Sequence, residues 1–168
     1  MPALVPFRVF AGITNSGIVQ SSRYELAHRF QQHIHEDTIM INKVVVKFKD
    51  GTALKGQMSD FFPNKTSFHM EQPEGGRVEI QTETLKAIFF VKDMAGDKDH
   101  KKTYDDKLAG GGRKIQVKFL DGETIVGYTM GYSPDRTGFF LIPADSKGNN
   151  ERIFVVKSAT EKVEMMQM

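Results

Sequence analysis

The sequence predicts a mainly β protein, one α-helix followed by two five-stranded small barrels in tandem. Three observations carry that expectation. The stretch KFKDGTALKGQMSDFFPN, Lys47 to Asn64, returns as KFLDGETIVGYTMGYSPD, Lys118 to Asp135. Within each copy, short apolar–polar alternations are broken by Asp-Gly pairs and turn clusters, which is the punctuation of strands. Each second strand also has an interior glycine, Gly56 or Gly127, where a short strand can bend sharply enough to serve both sides of a small barrel.

Residues 1–20 have no clear period and read as an extended arm. Residues 21–37 read as a helix, because Ser22-Arg23-Tyr24-Glu25 is a capping box and Leu26, Phe30 and Ile34 fall on one face. The first barrel spans 41–93. Its opening strand sets Val44, Val46 and Phe48 against Val45, Lys47 and Lys49. Asp50-Gly51 then predicts a two-residue type I′ hairpin turn, in which both residues take positive φ. Strand two carries Gly56, FFPN turns, and SFHM, RVEIQ and KAIFFV supply strands three to five. Residues 94–112, balanced in charge and rich in Gly, read as a solvated linker.

The second barrel spans 113–166 and repeats the plan through Ile115, Val117 and Phe119, Asp121-Gly122, Gly127, YSPD, GFFLI, RIFVV and KVEMM. An offset of 71 residues superposes Lys43 to Met70 on Lys114 to Leu141, and the register then slips by four, placing an insertion within IPADSKGNNE. Such internal duplication decides the architecture before any single element does. The final MMQM is expected to fray.

A strand, Asp-Gly, four residues, Gly, and an aromatic followed by a turn resembles the first signature motif of the Sm-like fold, one of the SH3-like small barrels. That fold usually places a helix before strand one, and the resemblance covers roughly residues 43–92 and 113–166. In Sm-like RNA binders an Asp and an Asn in the turn after strand two shape a base pocket. By position the Asp falls on Phe62 and Ser133, and the Asn on Thr66 and Thr137. The family's Arg-Gly pair near strand five is replaced by LKAIFFV and TEKVEMM. The resemblance thus implies the scaffold without the nucleotide pocket. The string GYSPDRTGFFLIPAD…NNERIFVV is similar to a family of uncharacterised bacterial proteins, which implies a bacterial origin and no particular activity.

Composition narrows the function. The 168 residues are 26% charged and 39% apolar with a net charge of +2 spread evenly, so no basic arm recruits nucleic acid by counterion release. The absence of Cys removes disulfides, thiolate nucleophiles and zinc–thiolate sites. The N-terminus lacks the pattern of a secretory signal, and no apolar run approaches the ~18 residues of a membrane span, so the expectation is a cytoplasmic protein. His28, His33 and His35 lack the spacing of a helical metal pair. Asp93, Asp97 and Asp99 lack the Gly and Glu of a calcium loop, and Gly110-Gly111-Gly112 leads into a strand where a phosphate loop would open a helix. No enzyme, cofactor or metal is expected.

The expected function is a non-catalytic interaction or scaffold protein. The alternatives are an Sm-like RNA binder and a cyclic-dinucleotide sensor, the latter because ADSKG resembles the D-x-S-x-x-G of PilZ receptors with one residue missing. Two regions are candidate sites. Asp135, Arg136, Asp145, Asn149, Asn150 and Arg152 form a loop that either simply turns or holds a partner or ligand, with the two arginines forking onto a carboxylate or phosphate. Ala87, Ile88, Phe89, Phe90 and Val91 are apolar on both faces, which predicts an assembly edge covered by the other barrel, the helix or a second chain, with homodimerisation as the extension.

Overall fold

Ten antiparallel strands in one sheet make up nearly all the regular structure of the computed structural model, which describes residues 41–97, 99–101, 103 and 112–166. The strands are β1 (Asn42–Phe48), β2 (Ala53–Met58), β3 (Ser67–Glu71), β4 (Arg77–Gln81), β5 (Leu85–Val91), β6 (Arg113–Phe119), β7 (Thr124–Thr129), β8 (Gly138–Pro143), β9 (Asn150–Val156) and β10 (Thr160–Met165). They lie side by side in the order β10-β6-β7-β8-β9-β5-β1-β2-β3-β4. The first half, β5-β1-β2-β3-β4, and the second, β10-β6-β7-β8-β9, therefore pair their strands in the same internal order. The helix expected at 21–37 and the arm before it lie outside the described residues.

Local chemistry recurs between the halves. The Asp-Gly turns correct the type I′ expectation. Gly51 and Gly122 take φ of 89° and 84°, but no described residue other than glycine has positive φ. Instead Gly51 N donates to Phe48 O, and Phe48 N donates across the turn to Thr52 O at 2.9 Å. Gly122, Phe119 and Glu123 repeat this, with Phe119 N donating to Glu123 O at 2.8 Å. A type I turn closed by a left-handed Gly needs only one residue at positive φ. The aspartates serve as acceptors: Asp50 Oδ1 takes bonds from Thr52 N and Oγ1, and Asp121 Oδ1 from Glu123 N.

The strand-interior glycines are required by close approach. A Cβ on Gly56 would lie 2.4 Å from Glu71 O, and one on Gly127 would lie 2.3 Å from Ile142 O. At these bends the second and third strands barely pair. β2 meets β3 at Gln57↔Glu71 alone, and β7 meets β8 at Gly127↔Pro143 and Tyr128↔Ile142.

The halves are joined where β5 pairs with β9, in the register Ala87↔Val155, Ile88↔Phe154, Phe89↔Ile153, Phe90↔Arg152. Side chains alternate across this seam. Leu85, Ile88 and Phe90 enter one core with Val44, Val46, Phe68 and Met70, and β9 adds Phe154 and Val156. Ala87, Phe89 and Val91 enter a second core with Ile115, Val117, Phe119 and Leu141, beside Ile153 and Val155 of β9. Every residue of β5 is buried. The equivalent rings Phe119 and Phe48 differ, the first fully buried and the second partly so.

Because Phe154 belongs to the second half yet fills the core of the first, Phe154→Ala is expected to cost about 3–5 kcal/mol. Urea denaturation followed by far-UV circular dichroism should show one transition displaced as a whole. Two transitions, with only one displaced, would mean that the cores are independent.

Candidate interaction site at the seam

Two features sit where the halves meet, an ionic cluster around one buried lysine and a cleft. The cluster begins with Lys86, the one charged residue in the apolar run of β5 and only 6% exposed. Its Nζ lies over the Phe119 ring, 4.6 Å from the centroid, and donates to Asp121 Oδ2 at 2.5 Å and to Glu123 Oε2. The acceptors belong to the β6–β7 turn, so the first half's cation is neutralised by the second half's carboxylates. Lys47 adds a weaker contact to Glu123 at 3.6 Å. Burial opposes the charge on Lys86, but its hydrogen bonds to Asp121 and Glu123 outweigh this and raise its pKa. The Lys86 hydrogen bond holds Asp121 below its ordinary value. For Glu123 burial works upward, yet Lys86 and Lys47 prevail and the net direction is down.

The cleft lies beside the turns that follow the second strand of each half. It consists of two adjoining hollows of about 790 and 810 Å³ that share Asn64, Asp135, Arg136 and Thr137. One is walled by polar side chains of both halves, among them Lys65, Thr82, Glu83, Lys157 and Ser158. The other is apolar, with Tyr128, Met130, Phe139, Phe140 and Ile142.

The structure divides the ligand loop expected from sequence into three parts. Asp135 and Arg136 line the cleft. Asp145 and Asn149 instead hold the segment that follows β5. Asp145 accepts from His100 Nε2 at 2.6 Å and from Thr103 Oγ1 at 3.2 Å, while Asn149 exchanges bonds with the backbone of Asp93. Lys92 Nζ adds bonds to Ser146 O and Gly148 O. Burial would raise the Asp145 carboxyl, but the bond from His100 outweighs it and holds the pKa low. Arg152 lies over the rings of Phe90 and Phe140, 4.2 and 5.3 Å from their centroids, and Nη2 donates to Asn42 Oδ1. It lines neither hollow, and Asn150 sits opposite Val91 in the seam. The edge Ala87, Ile88, Phe89, Phe90, Val91 is covered within the chain, by β1 on one side and β9 on the other.

Sequence reasoning missed Lys86, Asp121 and Glu123 as one cluster. The available signal was a lysine inside an apolar run beside a turn whose aspartate had been assigned to turn chemistry alone. Asp60 was missed as well; its Oδ2 meets His69 Nδ1 at 2.8 Å, and its Oδ1 accepts from His69 N. Among the described residues no three His, Cys, Asp or Glu gather as a metal site, and no helix is long and apolar enough to cross a membrane.

The fold and seam define a class, an all-antiparallel single-sheet protein whose two halves are joined strand to strand. Residues 40–167 match a family of unknown function, DUF6982, and the chain belongs to that family. No curated protein and no solved structure matches it.

The cluster is asymmetric. Asp121→Asn with Glu123→Gln leaves the Lys86 ammonium without an anion, and because both carboxylates are a third or more exposed it is expected to cost about 1–3 kcal/mol. Lys86→Met leaves two carboxylates able to reach water, and should cost much less. Because Asp121 and Glu123 have lowered folded pKa values, their stabilisation is present above the ordinary carboxylate range and is lost as pH falls through the folded values. The raised pKa of Lys86 withdraws its share only at strongly alkaline pH. Urea midpoints against pH should therefore fall on the acid side more steeply in the native chain than in Lys86→Met. Equal acid slopes would refute the cluster's role.

Proposed function

We propose that the chain is a non-catalytic interaction protein built from two copies of one Sm-like or SH3-like small barrel, and that it binds other protein chains through its free strand edges. The carrying observation is the seam. The fifth strand of one half pairs with the fourth strand of the other, β5 with β9, and among the described residues this leaves a fourth strand, β4, and a fifth strand, β10, each paired on one side alone. The edge types that meet inside the chain are the two left open at its ends. A second copy can meet them head to tail, a heterologous contact that either closes into a ring or continues as a filament. Matched strand order, Asp-Gly turns and bending glycines support the two-barrel reading.

The open edges differ from the seam in composition. β10 carries Glu161, Lys162 and Glu164, with Lys162 paired to Glu164, and β4 carries Arg77 and Glu79. Charged edges resist indiscriminate pairing, so association here is selective and weaker than at the all-buried β5.

Light scattering from low micromolar to submillimolar concentration should show mass rising above that of one chain. Amide exchange should slow with concentration across Arg77–Gln81 and Thr160–Met165 and stay constant in β5. A constant monomer mass with unchanged exchange at both edges would reject self-association. Sequence-dependent RNA binding at physiological salt would replace this reading with the RNA-binding one.

A further inference from the structure

The apolar hollow exists because the second half lacks what fills the same place in the first. In the first half β2 and β3 diverge beyond Gln57↔Glu71, and the gap is occupied. Asp60 bridges to His69, with Arg77 Nη2 3.9 Å from Asp60 Oδ2. The next residue, Phe61, packs edge-on against Phe68 at 5.2 Å and Phe154 at 4.9 Å. The 71-residue offset places Gly131 at the position of Asp60 and Phe140 at that of His69. The carboxylate–imidazole plug is thus gone. Tyr132 keeps the aromatic contact, meeting Phe139 at 4.9 Å, and Thr129 Oγ1 donates to Phe140 O at 2.8 Å across β7 and β8, but no carboxylate–imidazole pair like that of Asp60 and His69 stands between them.

The walls change in the same direction. Gln57 and Ser59 become Tyr128 and Met130, and Glu71 becomes Ile142. Met130 is 82% exposed and Ile142 40%, at the rim of the hollow. An exposed, flexible Met beside aromatic walls is a surface that adapts to an apolar side chain.

At the junction with the polar hollow stands Arg136, the counterpart of Lys65. Lys65 Nζ lies over the Phe62 ring at 4.7 Å, and Lys157 Nζ donates to Pro134 O. Ser133 replaces Phe62, so Arg136 has no such ring. Its guanidinium makes no hydrogen bond, ion pair or ring contact with any described residue. Neither acid of the cleft, Asp135 or Glu83, neutralises it. Arg136 offers a bidentate fork, and the cleft's three cations, Lys65, Arg136 and Lys157, exceed its two acids, Glu83 and Asp135, by a single charge, which suits a carboxylate monoanion better than a phosphate dianion.

We propose that this cleft binds a protein partner through an extended peptide segment in which an apolar or aromatic side chain is followed by a carboxylate. The side chain enters between Met130, Phe140 and Ile142, the carboxylate meets Arg136, and the backbone continues along the polar hollow between the halves. The inference rests on the reading of this chain as an interaction protein, but of the two open strands the cleft touches only Gln81 at the end of β4, and Met130, Ile142 and Arg136 lie outside both strands, so each can fail without the other.

The test is an NMR titration of the full chain with N-acetylphenylalanine, N-acetylphenylalaninamide and phenyl phosphate. The acid should give saturable shifts confined to Met130, Gly131 and residues 135–142. The amide should bind at least about tenfold more weakly, the loss of one charged hydrogen-bonded pair. Arg136→Ala, at an exposed position, should abolish the difference between acid and amide, and Met130→Lys should weaken both. Absence of saturable shifts, or equal binding of acid and amide to the native chain, would overturn the proposal. Tighter Arg136-dependent binding of phenyl phosphate would overturn the carboxylate and assign the cleft to a phosphorylated group.

Discussion

Everything in this molecule depends on β5 having no face to show to water. A strand with one apolar side needs one core, and a strand such as LKAIFFV needs two. The first half alone supplies only the core that takes Leu85, Ile88 and Phe90. The second supplies the core that takes Ala87, Phe89 and Val91, and its β9 covers the hydrogen-bonding edge as well. Each fully buried large side chain contributes roughly 1.5–3 kcal/mol, so the seam outweighs any surface contact between the halves. Lys86 fits this scheme only because the β6–β7 turn brings two carboxylates to it. The remaining edges are what is left once the strongest edge has been satisfied.

Much of this was legible in the sequence, for physical reasons that differ by element. The alternation of Val44, Val46 and Phe48, the interior glycines and the two-faced character of Ala87–Val91 are all consequences of a period of two, and that period is visible in one dimension. The turn type was not. Asp-Gly admits both a type I′ turn and a type I turn with a left-handed Gly, and the choice falls to hydrogen bonds from Thr52 and Glu123 that composition does not announce. The inner partners of the expected ligand loop were illegible for a related reason: Asp145 and Asn149 are residues that bind well, and here they bind the segment after β5. The cleft was hidden because it is a difference between equivalent positions, Asp60 against Gly131 and His69 against Phe140, and a search for repeats looks for sameness. The helix of 21–37 falls outside the described residues.

The halves thus share a backbone plan while their side chains diverge at the turn after the second strand. In one half that place is closed by a carboxylate, an imidazole and a ring. In the other it is open, apolar and flanked by an unneutralised arginine. Two halves with the same strand order permit this, since that order and the bending glycines sustain the sheet whatever occupies the gap. As proposed, the strand edges and the cleft would use two different modes of recognition, one by backbone hydrogen bonds and one by side-chain fit.

The β5–β9 pairing also has a consequence in time. A ribosome that has finished β5 has still to make the linker and most of the second half before β9 exists. At about 5–20 residues per second that interval lasts several seconds. Local contacts of the first half can form at once, since hairpins close in about 1–10 µs. Throughout the interval the most apolar edge in the chain is complete and unpaired, exposed to neighbouring nascent chains with the same edge. The segment after Val91 ends up pinned to the β8–β9 loop through Asp93, His100 and Thr103, but that anchor too is synthesised late. The vulnerable moment of this protein thus falls during its own translation, and a slow passage through the codons of the second half would lengthen it.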